Sequence, residues 1–163
     1  MKELVQEFTQ QLKEAKEIAG KAVIERSGNI QNILITGLGG SGIGGTIISE
    51  LIADSCKVPI TVNKDYFLPA FVDQNTLLIV CSYSGNTEET INAMEQGIGK
   101  KAQIVCITSG GKVLEMAKQH SFQFIEIPGG KPPRACLGYS FVQLVKVLGA
   151  YGFAPSSLFK DLD

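Results

Sequence analysis

Ile33-Leu34-Ile35-Thr36-Gly37-Leu38-Gly39-Gly40-Ser41-Gly42 runs from an unbroken apolar stretch directly into a glycine-rich turn. A short continuous apolar run is what a strand buried on both faces of a parallel sheet requires. Ser27-Gly28-Asn29 breaks the chain just before it, and a helical pattern from Ile43 to Ile52 follows the glycines. Strand, glycine turn and helix together predict the opening unit of a βαβ architecture.

The same alternation continues downstream. Further strands are predicted at Val58 to Val62, Leu77 to Cys81, Gln103 to Thr108 and Phe122 to Ile127, with helices at Glu88 to Ile98 and Val113 to Lys118. Right-handed crossovers favour a doubly wound α/β fold, a three-layer αβα sandwich around a five-stranded parallel sheet of order 2-1-3-4-5, the flavodoxin-type topology. Upstream, Leu4, Val5, Phe8, Leu12, Ala15, Ile18 and Ala19 mark an amphipathic helix from Lys2 to about Arg26. A last helix, about Ala135 to Tyr151, carries Leu137, Phe141, Leu144, Val145 and Leu148 on one face. The organisation expected is an N-terminal helix over 1–26 packed on a domain spanning 27–155, with 156–163 opening a further segment.

Composition narrows the function classes. Of 163 residues, 44% are hydrophobic and 19% charged, ordinary values for one globular domain, and no run approaches the roughly 18 apolar residues of a membrane span. The first residues lack the apolar core of a secretory signal, so a cytoplasmic location is expected. A net charge of −1 offers no general attraction for nucleic acid or an anionic membrane, so neither is expected as a partner and any anion must be held by local groups. Cys56, Cys81, Cys106 and Cys136 lack metal-ligand or redox spacing and are expected as buried free thiols, with no metal site.

In a 2-1-3-4-5 sheet the strand order reverses between strands one and three, and ligands bind outside their carboxyl ends. The loops there read Gly37-Leu38-Gly39-Gly40-Ser41-Gly42 and Ser82-Tyr83-Ser84-Gly85-Asn86-Thr87. Glycines allow close backbone approach, and helix N-termini with neighbouring hydroxyls favour an anion such as phosphate. The competing reading is capping, with Ser41 closing one helix and Asn86 or Thr87 the other, Asn86 and Glu89 fitting a capping box. The first loop also satisfies GxGxxG through Gly37, Gly39 and Gly42, but Val62-Asn63-Lys64 stands where a dinucleotide site needs an acidic residue, and no cofactor is expected.

GLGGSGIGG, SYSGNTEET, ITSGGK and PPRACLGYS, in this order, resemble the bifunctional phosphoglucose/phosphomannose isomerases of the sugar isomerase (SIS) family. The resemblance implies an SIS-like domain and a sugar-phosphate isomerase acting on glucose, mannose and fructose 6-phosphates through an enediolate. It implies that Ser82, Ser84 and Thr87 bind the phosphate, that Gly39, Gly40 and Ser41 contact the sugar phosphate, and that Arg134 lies beside the reacting carbons as a catalytic cation. It also implies a homodimer and a second SIS domain carrying the catalytic glutamate, a histidine and a lysine, so that this chain corresponds to the N-terminal half. Gly42 and Thr46 depart from the family's more usual alanine and aspartate. No base is expected within this chain, since His120 falls at the amino-terminal edge of the sheet and Glu88 and Glu89 begin a helix. Lys112 is expected near the rim. A non-catalytic phosphosugar sensor remains the alternative.

Overall fold

Five parallel strands form one sheet in the order β2-β1-β3-β4-β5 in the computed structural model, which describes residues 8–160. Its elements are α1 (Phe8–Lys21), β1 (Asn32–Thr36), α2 (Gly39–Leu51), β2 (Ile60–Asn63), β3 (Thr76–Ser82) and α3 (Glu88–Gly99). They continue with β4 (Gln103–Thr108), α4 (Gly111–Gln119), β5 (Gln123–Glu126), a 3-10 turn (Pro133–Ala135), α5 (Leu137–Ala150) and α6 (Ser156–Lys160). The expected α/β class and strand order are therefore found.

The apolar runs explain the layers. Successive strand side chains point to opposite faces. Ile33, Ile35, Leu77, Ile79, Val105 and Ile107 pack with α1, α2 and α5, whereas Leu34, Leu78, Val80, Ile104 and Cys106 pack with α3 and α4. Every residue of β3, the central strand, is buried. No helix among the described residues is long and apolar enough to cross a membrane.

Boundaries differ from expectation where tertiary contacts override local pattern. The first helix ends at Lys21 rather than near Arg26, and residues 1–7 of that expectation lie outside the described residues. Past Lys21 the chain is captured by the far strand: Glu25 N–H donates to Gln123 Oε1 at 2.6 Å and its carbonyl accepts from Gln123 Nε2 at 2.9 Å. β2 begins at Ile60, not Val58, because Pro59 has no N–H to give a ladder, though its carbonyl accepts from Ile33 N–H. α2 begins four residues before Ile43, since Ser41 and Gly42 N–H both donate to the Leu38 carbonyl and draw the glycines into the first turn. The last helical segment is split, the 3-10 turn preceding a helix that starts at Leu137.

Candidate functional site

β1 and β3 are neighbours whose helices leave on opposite faces of the sheet, so their carboxyl ends open a crevice. A cavity of about 340 Å³ occupies it, lined by Leu38, Gly39, Gly40, Ser41, Cys81, Ser82, Tyr83, Ser84, Thr87 and Pro132 to Arg134. Gly39, Gly40, Ser41, Ser82, Ser84, Thr87 and Arg134 are thus brought together from three separate loops. Arg134 is the only charged side chain in that lining, and no carboxylate or imidazole among the described residues is part of it.

Capping does not explain the hydroxyls. α2 is entered from Leu38 and α3 from Thr87, and neither helix has a side-chain cap. Ser41 lies inside the first turn of α2, and Asn86 Oδ1 instead accepts the Lys112 N–H from the first turn of α4 at 3.1 Å. Ser82 Oγ accepts from Gly85 N–H at 3.1 Å and shares a 3.2 Å hydrogen bond with Thr87 Oγ1. Ser84 Oγ accepts from Asn86 N–H at 3.2 Å. A backbone amide therefore occupies an acceptor position on each serine; the Ser84 proton and one of the two protons of the Ser82–Thr87 pair are left to be donated, as an anion requires.

The loop after β4, which sequence reading associated with the family without a role, is the buttress of this arrangement. Ser109 N–H donates to the Tyr83 carbonyl and Val113 N–H to the Gly85 carbonyl, both at 3.0 Å. Gly85 has φ +70°, and a Cβ there would lie 1.8 Å from the Gly110 carbonyl oxygen, so only glycine lets the two loops touch.

Tyr83 lines the cavity although sequence reading gave it no part. Its hydroxyl donates to the Pro128 carbonyl at 2.9 Å and accepts from Lys131 N–H at 3.0 Å, tying the Arg134 segment to β3. Burial, followed by the Cys136 thiol, pushes the phenol up to about 12. Burial also raises the Cys81 thiol, so both groups are protonated at neutral pH and unsuited to accept a proton. The only available signal for Tyr83 was its place between two serines at a strand end.

The remaining candidates stand apart. His120 ends α4, is exposed and stacks on Phe122 with ring centroids 5.4 Å apart. Glu88 and Glu89 occupy the first turn of α3, and Lys112 is exposed, with none of the three in the lining. Gly42 and Thr46 do not line it either: Thr46 is exposed and donates to the Gly42 carbonyl at 3.2 Å. Cys81, Cys106 and Cys136 are buried, as expected of the thiols, whereas Cys56 is only half-buried.

No family model matches the chain. A bifunctional phosphoglucose/phosphomannose isomerase from Caldicellulosiruptor bescii is 45% identical over 153 residues, covering 93% of this chain and 45% of that protein. A D-glucosamine-6-phosphate 4-epimerase from Sulfolobus acidocaldarius is 34% identical over 120 residues, 72% of this chain and 37% of that protein. The chain thus spans less than half the length of these curated relatives. The crystal structure of tagatose-6-phosphate ketose/aldose isomerase from Escherichia coli superposes with a TM-score of 0.63 at 16% identity, over 98% of this chain and 46% of that one. In sequence the chain belongs to the family of the bifunctional phosphoglucose/phosphomannose isomerases, and its fold is that of the SIS-type phosphosugar isomerases.

Proposed function

We propose that the cavity binds a hexose 6-phosphate and that the chain is the N-terminal half of an aldose–ketose isomerase interconverting glucose or mannose 6-phosphate with fructose 6-phosphate. The observation that carries the reading is the convergence of two hydroxyl-bearing loops and one arginine on a single cavity at the switch point. The relatives' names support the same ligand class, since an isomerase and an epimerase both act on a phosphosugar. In this reading Ser82, Ser84 and Thr87 hold the phosphate, and Gly39, Gly40 and Ser41 contact the sugar phosphate with backbone amides and a hydroxyl.

Isomerisation moves a proton between carbons 1 and 2, and negative charge develops on the enediolate oxygens. Arg134 is the group suited to stabilise that charge, and the phosphate anchor supplies binding energy remote from the reacting carbons. The proton acceptor has to come from elsewhere, because the lining offers only a phenol and a thiol that stay protonated. We therefore infer that a second SIS domain completes the site, that the protein is cytoplasmic and forms a homodimer, and that this chain by itself binds but does not turn over.

On the layer of α1, α2 and α5 the exposed large hydrophobics are Phe8 of α1 and Ile43, Ile47 and Leu51 of α2, the apolar surface through which the homodimer would form. Titration of the ¹⁵N-labelled chain with glucose 6-phosphate tests the central claim. Amides of Gly39 to Ser41 and Ser82 to Thr87 should shift, and Ser84→Ala, at an exposed position, should weaken binding roughly tenfold as a hydrogen bond to a charged group is lost. Shifts confined to other loops would refute it.

A further inference from the structure

Gln11 is a polar side chain on the buried stripe of α1, 4% exposed, and both ends of its amide are used far along the chain. Nε2 donates to the Ala135 carbonyl at 2.6 Å and Oε1 accepts from Gly138 N–H at 2.7 Å. Donor meets carbonyl and acceptor meets amide, so the orientation of the carboxamide is fixed by its partners. α5 has no cap from its own N-terminal neighbour Cys136, and Gly138 N–H is one of the first-turn amides that a helix cannot satisfy internally. Gln11 supplies that cap from another helix. A Cβ at position 138 would lie 2.6 Å from Gln11 Oε1, so the glycine of the Leu137-Gly138-Tyr139 stretch is the space this contact needs.

One turn further along α1, Glu14 accepts a hydrogen bond from the Tyr139 hydroxyl, to which Lys131 Nζ also donates at 3.2 Å. The bonds to α1 thus all fall just after Arg134, at Ala135, Gly138 and Tyr139, while Lys131, just before it, is tied to Tyr139 and so to the same end of the segment. At its middle, the Pro133 carbonyl lies 3.1 Å from where a Cβ on Gly40 would stand, which sets the turn against the first loop of the cavity. The Arg134 side chain is itself exposed. The backbone that carries it is held before the turn by Tyr83, through Pro128 and Lys131, and after it by α1, through Ala135 and Gly138.

We propose that Gln11 is a positioning residue for Arg134: by bridging Ala135 and Gly138 it fixes the 3-10 turn that directs the guanidinium into the cavity. This rests on the reading above, in which Arg134 meets the reacting end of a bound sugar phosphate. A glutamine on a helix that contributes nothing to the lining would then control the chemistry of the site while leaving its phosphate anchor alone.

The test uses the full 163-residue chain. Gln11→Met removes both polar ends at similar volume. Gln143→Met is the control, because it deletes a buried bond between the same two helices, Gln143 Nε2 to the Ala15 carbonyl at 2.9 Å, away from the turn. Without ligand, the Arg134 Nε–H signal and the amides of residues 135–138 should shift and broaden in Gln11→Met, with Ser82 to Thr87 unmoved and Gln143→Met silent at Arg134. With ligand, inorganic phosphate should bind within about twofold of the parent, because its loop is untouched, while 5-phospho-D-arabinonate, whose carboxylate places charge where an enediolate carries it, should bind about tenfold more weakly. That loss should vanish in an Arg134→Ala background. An unmoved Arg134 signal, or an equal loss in the Arg134→Ala background, overturns the proposal. If Gln11→Met fails to fold, Gly138→Ala presses on the same contact from the other side and is read by the same criteria. Failure of every ligand to bind would refute phosphosugar binding, whereas the Arg134 signal would still decide the role of Gln11.

Discussion

Gly85→Ala should be among the most damaging single methyl additions in the protein, and the geometry says by how much. Position 85 combines φ +70° with a Gly110 carbonyl oxygen 1.8 Å from the site of the new Cβ, against 3.4 Å for ordinary contact. A left-handed backbone costs a non-glycine residue about 1–2 kcal/mol. Relieving the overlap requires the loops after β3 and β4 to separate by more than an ångström, which breaks the Ser109 to Tyr83 and Val113 to Gly85 backbone bonds. At about 1 kcal/mol for each such bond, the total is about 3–4 kcal/mol, a large share of a domain's stability. Gly130→Ala isolates the first contribution, because φ there is +79° and nothing lies within 4 Å. Urea unfolding followed by circular dichroism should therefore rank Gly85→Ala about 2 kcal/mol below Gly130→Ala, with equal denaturant slopes. Equal losses for the two variants would refute the claim that the loops are locked together through this glycine.

The Tyr139 hydroxyl, with help from the Gln10 amide, holds the Glu14 carboxyl below its ordinary range. A depressed folded-state value adds stability above the unfolded one, near 4.3, that is lost as pH falls through the folded value. Glu14→Gln should accordingly flatten the acid limb of a stability-versus-pH curve between about pH 5 and 3, and an unchanged limb would show the contact to be inert. Thiol labelling at pH 8 should modify half-buried Cys56 first, since burial raises Cys81 and pushes Cys106 up to about 12. Peptide mapping that finds Cys106 labelled as fast as Cys56 would contradict the packing of β4.

The parts legible in the sequence are those in which local pattern and burial agree. Ile33 to Thr36 and Leu77 to Cys81 read as strands because two-sided burial leaves mainly apolar residues there, and both are buried. The two hydroxyl-bearing loops could be named because the order of strands dictates where a crevice opens. What escaped depends on distant partners. Nothing local ends the first helix at Lys21, since the Gln123 side chain that takes the next segment is 98 residues away from Glu25. Tyr83 and Gln11 escaped for the same reason. For Gln11 a trace was present: it lies four residues before Ala15 and eight before Ala19, on the stripe that proved buried, where an unpaired carboxamide would be costly.

The contact between Gln11 and Ala135 closes a span of 124 residues, and this bears on how the protein comes off the ribosome. At roughly 5–20 residues per second, the partner of Gln11 is made about 6–25 s after Gln11 itself. In that interval β1 to β4 and the helices between them can already pair, with both hydroxyl-bearing loops in place, while α1 has no α5 to dock on. The nascent chain would acquire its anion cradle early and its arginine late. Until then, the apolar stripe of α1 is the surface that a chaperone would meet first.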